Sequence, residues 1–323
     1  MNSTANGSSG SWSCLNFSAL KIGGTVTYCL IIIVSLVANC LIAITVCKTP
    51  NLKKTINFFI ANMASSDLLF PVFSIPFKLS LLHANSFLIG GQLGQALCKL
   101  VAFFGNVSVV VSTQNLILIG VDRFGAVVFP LRSPLIRSKL CLFFINATWI
   151  FAIVFNSQYL LTLELVEHPE VAWCVRRWKR VFGESSSFAS FLLAYNILFT
   201  YIPVLLLVIL YSIFIKLNTQ VHPSEQSTNN QQQWKRRNRN VLQMSIAIVT
   251  VFVLCCLPYN TNHLTIEYQD SSAHFSCSFQ IYFNVTYFLI HAYCAINPII
   301  CFMFSSNYRQ GEKRLMKCSF VQA

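Results

Sequence analysis

The sequence predicts an all-α integral membrane protein, a bundle of seven transmembrane helices followed by a short amphipathic helix on the inner leaflet. Three observations predict it. Of the 323 residues 55% are hydrophobic and only 10% charged, with a mean hydropathy of +0.59, too little charge to clothe a soluble globule of this size. The apolar residues fall into seven blocks, each long enough to cross roughly 30 Å of hydrocarbon at about 1.5 Å per helical residue. Basic residues gather on alternate connections between those blocks.

The blocks are Gly24 to Cys47, Ile56 to Leu82, Leu97 to Val128, Leu140 to Thr162, Phe188 to Leu217, Val241 to Leu264 and Phe279 to Phe304. Most contain a proline, serine or asparagine that would sit awkwardly in a barrel strand, and none is as short as one, so helices are the better reading. The chain divides into a polar tail (1–23), the seven-helix domain (24–304) and a terminal segment (305–323). No internal repeat or second domain is evident.

The formal net charge of +13 would suit a nucleic-acid partner, but its placement argues for a membrane instead. Lys48, Lys53 and Lys54 follow the first block, and Arg132, Arg137 and Lys139 the third. Lys216, Lys235, Arg236, Arg237 and Arg239 separate the fifth from the sixth; Arg309, Lys313, Arg314 and Lys317 follow the seventh. The positive-inside rule puts these segments in the cytoplasm and the N-terminus outside. One cluster objects, Arg176, Arg177, Lys179 and Arg180 in an outer loop, partly balanced by Glu167, Glu170 and Glu184.

The tail supports this orientation. Asn2, Asn6 and Asn16 each open a glycosylation sequon in a Ser/Gly-rich stretch, whereas the sequons at Asn106, Asn146 and Asn284 lie inside membrane blocks and should be silent. No short apolar signal peptide precedes the first block, which is expected to direct insertion itself.

Most of the 13 cysteines lie within membrane blocks as small hydrophobes. Cys98 at the outer edge of the third block and Cys174 in the next outer loop would meet an oxidising compartment that lets them pair. Cys14 and Cys277, also outside, would make a second bridge. Thr219 to Gln233 is rich in Gln, Asn and Ser and reads as a cytoplasmic linker, where Ser224, Ser227 and Thr228 are the better phosphorylation candidates for receptor kinases and arrestin. Beyond Phe304, Tyr308, Leu315 and Met316 alternate with basic residues as in an amphipathic helix on membrane lipid, and Cys318 at its end is a candidate for palmitoylation.

Ionisable groups inside a membrane cost about 2.5 to 3.5 kcal/mol each on insertion scales, so Asp67 within NMASSDLLF demands a partner across the bundle. With Asp67 the chain presents Asn39 in block one, Cys98, Asp122-Arg123-Phe124 ending block three with Pro130-Leu131 after it, and Trp149 in block four. Pro203 and Tyr211 stand in block five, Phe252 and Pro258 in block six, and Asn297-Pro298 in block seven. One mark in nearly every block, in order and with Cys98 and Arg123 at the required separation, resembles the rhodopsin-like G-protein-coupled receptors, from Gly24 to Cys318, most like the neuropeptide receptor branch.

The resemblance implies a plasma-membrane receptor, not an enzyme, that binds an extracellular ligand and activates heterotrimeric G proteins. It implies the Cys98–Cys174 bridge. Arg123 would be held by Asp122 at rest and swing toward Tyr211 and the G protein on activation, with Leu131 filling an apolar pocket of that partner and Phe252, Asn297 and Pro298 in the switching machinery. Asp67, Ser112 and Asn297, with Asn39 nearby, resemble the family's sodium pocket, an allosteric ion being the only cofactor expected; a protonated, hydrogen-bonded Asp67 is the alternative. Cys256 replaces the usual tryptophan, Cys301 the tyrosine of the Asn-Pro-x-x-Tyr motif, and Asn238 a locking acid, which together imply a shallower barrier between resting and active states.

The position matching the aminergic aspartate is Gly105, and that matching the retinal lysine is His291, so neither ligand class is supported. Phe77, Lys78, Asn106, Tyr195, Tyr259, His263, Tyr287 and His291 remain as a wide aromatic and polar set that suits a peptide, with Lys78 or the Arg176–Arg180 cluster available to a ligand carboxylate. A lipid or small carboxylate ligand, or a non-signalling decoy, are the rivals within the family. A transporter or channel would show inverted repeats or acids in several spans, and only Asp67 is deep.

Overall fold

A computed structural model describes residues 17–84, 86–87, 89–128, 136, 138–169, 171–220, 229–268 and 277–321; of the side chains, those of 17–20, 51, 126–128, 138, 214, 217–220, 229–239, 241 and 315–321 fall outside that description. Among the described residues seven helices are long and apolar enough to cross a membrane. In order these spans are Lys21–Lys48, Thr55–Ala84, Gly91–Gly125, Lys139–Thr162, Phe188–Ile213, Leu242–Tyr268 and Cys277–Phe304. They place the chain among multi-pass membrane proteins. Ile33, Leu142, Phe151, Leu205 and Met303 point outward, as helices solvated by lipid require, while the polar side chains of Asn39, Asp67, Ser112 and Asn297 are turned inward and buried.

The spans follow the apolar blocks closely, with two informative differences. The third begins at Gly91, not Leu97, because Gly91 takes a left-handed backbone (φ 65°) that starts the helix, and the polar GQLGQA turn that follows hides it from hydropathy. The expected linker is also shorter: helix runs to Gln220 and resumes at Asn229, so Asn229 to Gln233 are helical, glutamine being a good helix former.

Two spans are interrupted by wide turns. Pro71 has no N–H to offer the preceding turn, and the backbone over Phe70–Ser74 widens so that Ile75 N–H bonds Phe70 O. Ahead of Pro203 the stretch Ile197–Tyr201 does the same, with Ile202 N–H on Ile197 O. Both turns lie on the half of the bundle that carries the one sheet among the described residues.

That sheet is a hairpin of β1 (Leu163–Glu167) and β2 (Ala172–Arg176), antiparallel, with Leu165 opposite Cys174. A disulfide joins Cys174 to Cys98 at the start of the third span. Gln95 clamps β1 from the same helical turn, accepting from Leu165 N–H at 2.6 Å and donating to Leu163 O at 3.3 Å, and Phe87 N–H donates to Ala172 O at 2.8 Å. The hairpin is thus fixed across one mouth of the bundle.

At the opposite end the helix Ser306–Val321 turns away from the seventh span. Tyr308 anchors it, 1% exposed, and Gly311 lets it approach the first span: a Cβ there would meet Thr45 Cγ2 at 2.4 Å. Arg309 Nη1 caps the seventh span by donating to Phe302 O and Met303 O, both at 2.6 Å. The sequon residues Asn2, Asn6 and Asn16, with Cys14 and Leu131, lie outside the described residues, as does the side chain of Cys318. Cys277 is disulfide-bonded.

Candidate functional site

Under the hairpin lies a cavity of about 180 Å³. Of the eight residues expected there, seven line it: Phe77, Asn106, Tyr195, Tyr259, His263, Tyr287 and His291. Lys78 is set just behind, its Nζ 4.2 Å from the centre of the Tyr287 ring, a cation resting on an aromatic face. The seventh span stacks its rings one turn apart, Tyr287 on His291 at 5.0 Å, while Tyr259 of the sixth meets Tyr287 edge-on at 5.6 Å and His263 at 6.1 Å. These contacts hold one continuous aromatic wall.

Several of these side chains are already engaged. His291 Nδ1 is 2.6 Å from Tyr287 O and its ring packs edge-on against Tyr28 and Phe70, so it forms the floor and offers chiefly its ring. Asn106 donates to Ala102 O in its own helix at 2.8 Å, and the Tyr195 hydroxyl donates to Asn156 Oδ1 at 3.0 Å.

Arg176 is the member of the basic loop cluster that reaches the cavity, carried there by β2. Its guanidinium lies 3.6 Å from the Phe188 ring centre and 3.6 Å from Glu267 Oε1, and its Nε is buried with no hydrogen-bond partner. Arg177 and Arg180 turn instead to Glu164, at 3.6 and 3.1 Å. Sequence reasoning missed Ser74, Asn196 and Asn260 in the lining. Asn196 Nδ2 is buried and unpartnered, while Asn260 donates to Thr200 Oγ1 at 3.0 Å. Asn196 and Asn260 stand out as polar residues in apolar helices, but the sequence does not say at which depth they meet their neighbours.

Gly105 lines the cavity where spans two and three touch, and a Cβ there would stand 2.6 Å from Ser74 Oγ. The glycine that displaces the amine-binding aspartate is therefore favoured by packing against Ser74 as well.

Deeper in the bundle, Asp67 is fully buried and collects partners from two other spans: Ser112 Oγ donates to Oδ1 at 2.6 Å and Asn297 Nδ2 to Oδ2 at 3.0 Å. Ser66 shares a hydrogen bond with Ser112 at 3.0 Å, and the Tyr293 phenol borders the cluster. Asn39 bonds instead to Ser35 and to Cys294 O at 2.9 Å, bracing the first span on the seventh. The Asn297 Oδ1 and, one turn from Ser112, the Ser108 Oγ are buried oxygens without a hydrogen-bond partner. One carboxylate among neutral oxygens, the Asn297 Oδ1 and the Tyr293 hydroxyl among them unsatisfied, fits a hard monovalent cation.

Cys256 and Cys301 are both fully buried in the same core. In place of a large side chain at 256, Tyr293 fills the centre, meeting Phe252 edge-on at 5.8 Å. Near the end bearing the C-terminal helix, Arg123 Nη2 donates to Asp122 Oδ2 in an ion pair. Asp122 is 4% exposed, Arg123 Nε has no hydrogen-bond partner, and Tyr211 is buried without bonding the guanidinium. The arginine is held by its neighbour in sequence.

Comparison with known proteins agrees with this geometry. A family model described as the 7 transmembrane receptor (rhodopsin family) matches residues 38–301. The chain is 27% identical to galanin receptor 2b of Danio rerio over 297 residues, 91% of this chain and 75% of that protein. It is 28% identical to the RYamide receptor of Drosophila melanogaster, over 94% of this chain and 65% of that one, and 26% identical to the human neuropeptide Y receptor type 2, over 90% and 75%.

Proposed function

From the premise that this chain belongs to the rhodopsin family of seven-transmembrane receptors, we propose that it binds an extracellular peptide at the hairpin end and activates a heterotrimeric G protein at the other. The observation that carries this is the pairing, in one bundle, of an aromatic cavity beneath a pinned hairpin with an Asp122–Arg123 ion pair at the far end. The relatives are receptors for galanin, RYamide and neuropeptide Y by name, which favours a peptide. A cavity of about 180 Å³ accepts one or two side chains, so the rest of the ligand lies on the hairpin.

The charge of the inserted end follows from Lys78. It faces Tyr287, and among the described residues no carboxylate lies within ion-pair distance, so a half-buried ammonium waits for an anion. The ligand therefore inserts a carboxylate, with Arg176 at the rim released from Glu267 to assist. A small organic acid has the same chemistry and is the second reading.

On this proposal the hairpin faces outward at the plasma membrane, Asn2, Asn6 and Asn16 are glycosylated, Leu131 docks on the G protein and Cys318 is palmitoylated. Arg123 paired to Asp122 is the resting arrangement; engagement of the G protein exchanges that carboxylate for backbone acceptors of the partner. Asp67, Ser112 and Asn297 would hold a sodium ion, whose positive charge would offset the buried carboxylate and favour the resting bundle.

The test is nucleotide exchange across G-protein classes in cells expressing the chain, challenged with peptides and small carboxylates. Exchange driven by a ligand, lost in Arg123→Ala with surface expression retained and right-shifted in Lys78→Gln, supports the proposal. A ligand that binds without exchange in any class makes the chain a decoy and defeats it.

A further inference from the structure

We propose that the lipid-facing groove between the third, fourth and fifth spans is a binding site for a neutral, steroid-like polycyclic lipid whose hydrogen-bonding group meets Gln114. The groove encloses about 480 Å³, more than the cavity under the hairpin, and is walled mainly by the rings of Phe143, Phe144, Phe151, Phe155 and Phe199.

The polar chemistry is confined to three side chains. Thr113 Oγ1 donates to Val109 O at 2.7 Å and Thr148 Oγ1 to Ile145 O at 2.7 Å, each satisfied within its own helix. Among the described residues the Gln114 side chain has no hydrogen-bond partner, with two donors and an acceptor to satisfy. It stands 11 residues before Gly125, the end of the third span, or about 16 Å at 1.5 Å per residue. That depth is within the hydrocarbon, where water does not satisfy an amide and an exposed one is costly. The group that satisfies it must itself be dissolved in the membrane.

Those facts select the occupant. A phospholipid headgroup carries charge and is held at the interface, so it does not descend to Gln114. The ring planes of Phe151 and Phe155 lie 8° apart, with Phe199 edge-on to Phe155 at 4.9 Å, giving flat walls. A rigid polycycle packs on such walls with little loss of rotamer freedom, whereas an acyl chain must be ordered. A hydroxyl or ketone on that polycycle completes the amide.

The site bears on the bundle from outside. Thr148 also accepts from Asn62 at 3.4 Å, and Asn62 in turn bonds Asn115 at 3.1 Å and Trp149 at 2.8 Å, joining the second, third and fourth spans. Leu198 and Phe199 belong to the wide turn ahead of Pro203. An occupant braces the joint between these elements.

The test is photolabelling of the full chain in cell membranes with a hydroxysteroid carrying a diazirine, beside a phosphatidylcholine carrying the diazirine in its acyl chain. The steroid is expected to label residues 143–155 and 198–203, and excess unlabelled steroid to compete. Gln114→Leu, which removes a lone amide from lipid and should fold at least as well, is expected to weaken labelling about tenfold, as loss of one intramembrane hydrogen bond implies. Ala147→Trp fills the groove and should abolish it; if that chain does not reach the surface, Ala147→Leu takes its place.

Labelling spread evenly around the lipid belt, or unchanged in Gln114→Leu, overturns the proposal. Equal labelling by the phosphatidylcholine probe shows ordinary lipid in the groove and does the same. So does a silent steroid probe with Ala147→Cys chains that cross-link to one another, which would put a second copy there. The readout does not involve signalling, so its failure leaves the receptor proposal standing.

Discussion

The Tyr308 hydroxyl donates to Asn57 Oδ1 at 3.1 Å, and Asn57 Nδ2 donates to Leu52 O at 2.9 Å. One phenol therefore ties the C-terminal helix to the start of the second span, close to where Cys301 stands in place of a tyrosine in the seventh. Tyr308→Phe leaves Asn57 Oδ1 buried without its donor, at a cost of about 1–3 kcal/mol. Faster thermal inactivation of purified protein is expected, with the half-life at fixed temperature as the measure.

The same contact sets a pH dependence. Burial pushes the Tyr308 phenol well above its ordinary value. An unfolded tyrosine ionises near pH ~10, so above that pH the unfolded chain binds fewer protons than the folded one and stability falls; below it the contribution is complete and flat. Thermal stability measured from pH 6 to pH 11 should therefore lose a component above about 10 in the native chain that Tyr308→Phe does not lose.

Asp122→Asn removes the carboxylate that holds Arg123 and leaves a mostly buried guanidinium uncompensated. Breaking a buried pair from one side costs about 3–5 kcal/mol, which on the proposed mechanism falls on the resting state. Basal nucleotide exchange should rise severalfold without ligand. Basal exchange equal to that of the unaltered chain would count against the restraint.

Gly105→Ala places a methyl group 2.6 Å from Ser74 Oγ but at an ordinary 3.9 Å from Ser74 Cβ. Overpacking of this kind costs about 1–3 kcal/mol, and the culprit is the hydroxyl. Gly105→Ala should lower surface yield, and adding Ser74→Ala should restore it, a non-additive pair read by flow cytometry.

On the proposed sodium site, sodium chloride should weaken agonist binding relative to choline chloride at equal ionic strength, because an ion among Asp67, Ser112 and Asn297 would favour the resting bundle. Asp67→Asn should erase the difference. Retention of the sodium effect in that variant would move the ion elsewhere.

The spans were legible because lipid imposes length and apolarity on every one of them; the polar helical turns Gly91 to Ala96 and Thr265 to Tyr268 at their ends escaped. Lys78, Tyr259 and Tyr287 were legible as ionisable or aromatic residues near one end of their blocks. The seating of the His291 ring as the cavity floor was not, since it rests on edge-on contacts with Tyr28 and Phe70, residues far away in sequence. Nor was the hairpin: Leu163 to Glu167 alternates only weakly, and its strand geometry rests on Cys98 and Gln95 of another element. Arg176 reaches the cavity while Arg177 and Arg180 do not, because the strand ends at Arg176 and a helical turn follows from Trp178, a distinction that a run of like charges conceals.

The wide turn at Phe70–Ser74 has a consequence for residue correspondences between this chain and its relatives. An extra residue in one turn rotates everything beyond it by about 100°, so Phe77 and Lys78 point where an uninterrupted helix would put different positions. Deleting a single residue from that turn should leave Asp67 in place yet swing the ammonium of Lys78 off the Tyr287 ring, and equivalences carried upward from Asp67 by counting hold only for relatives that share the bulge.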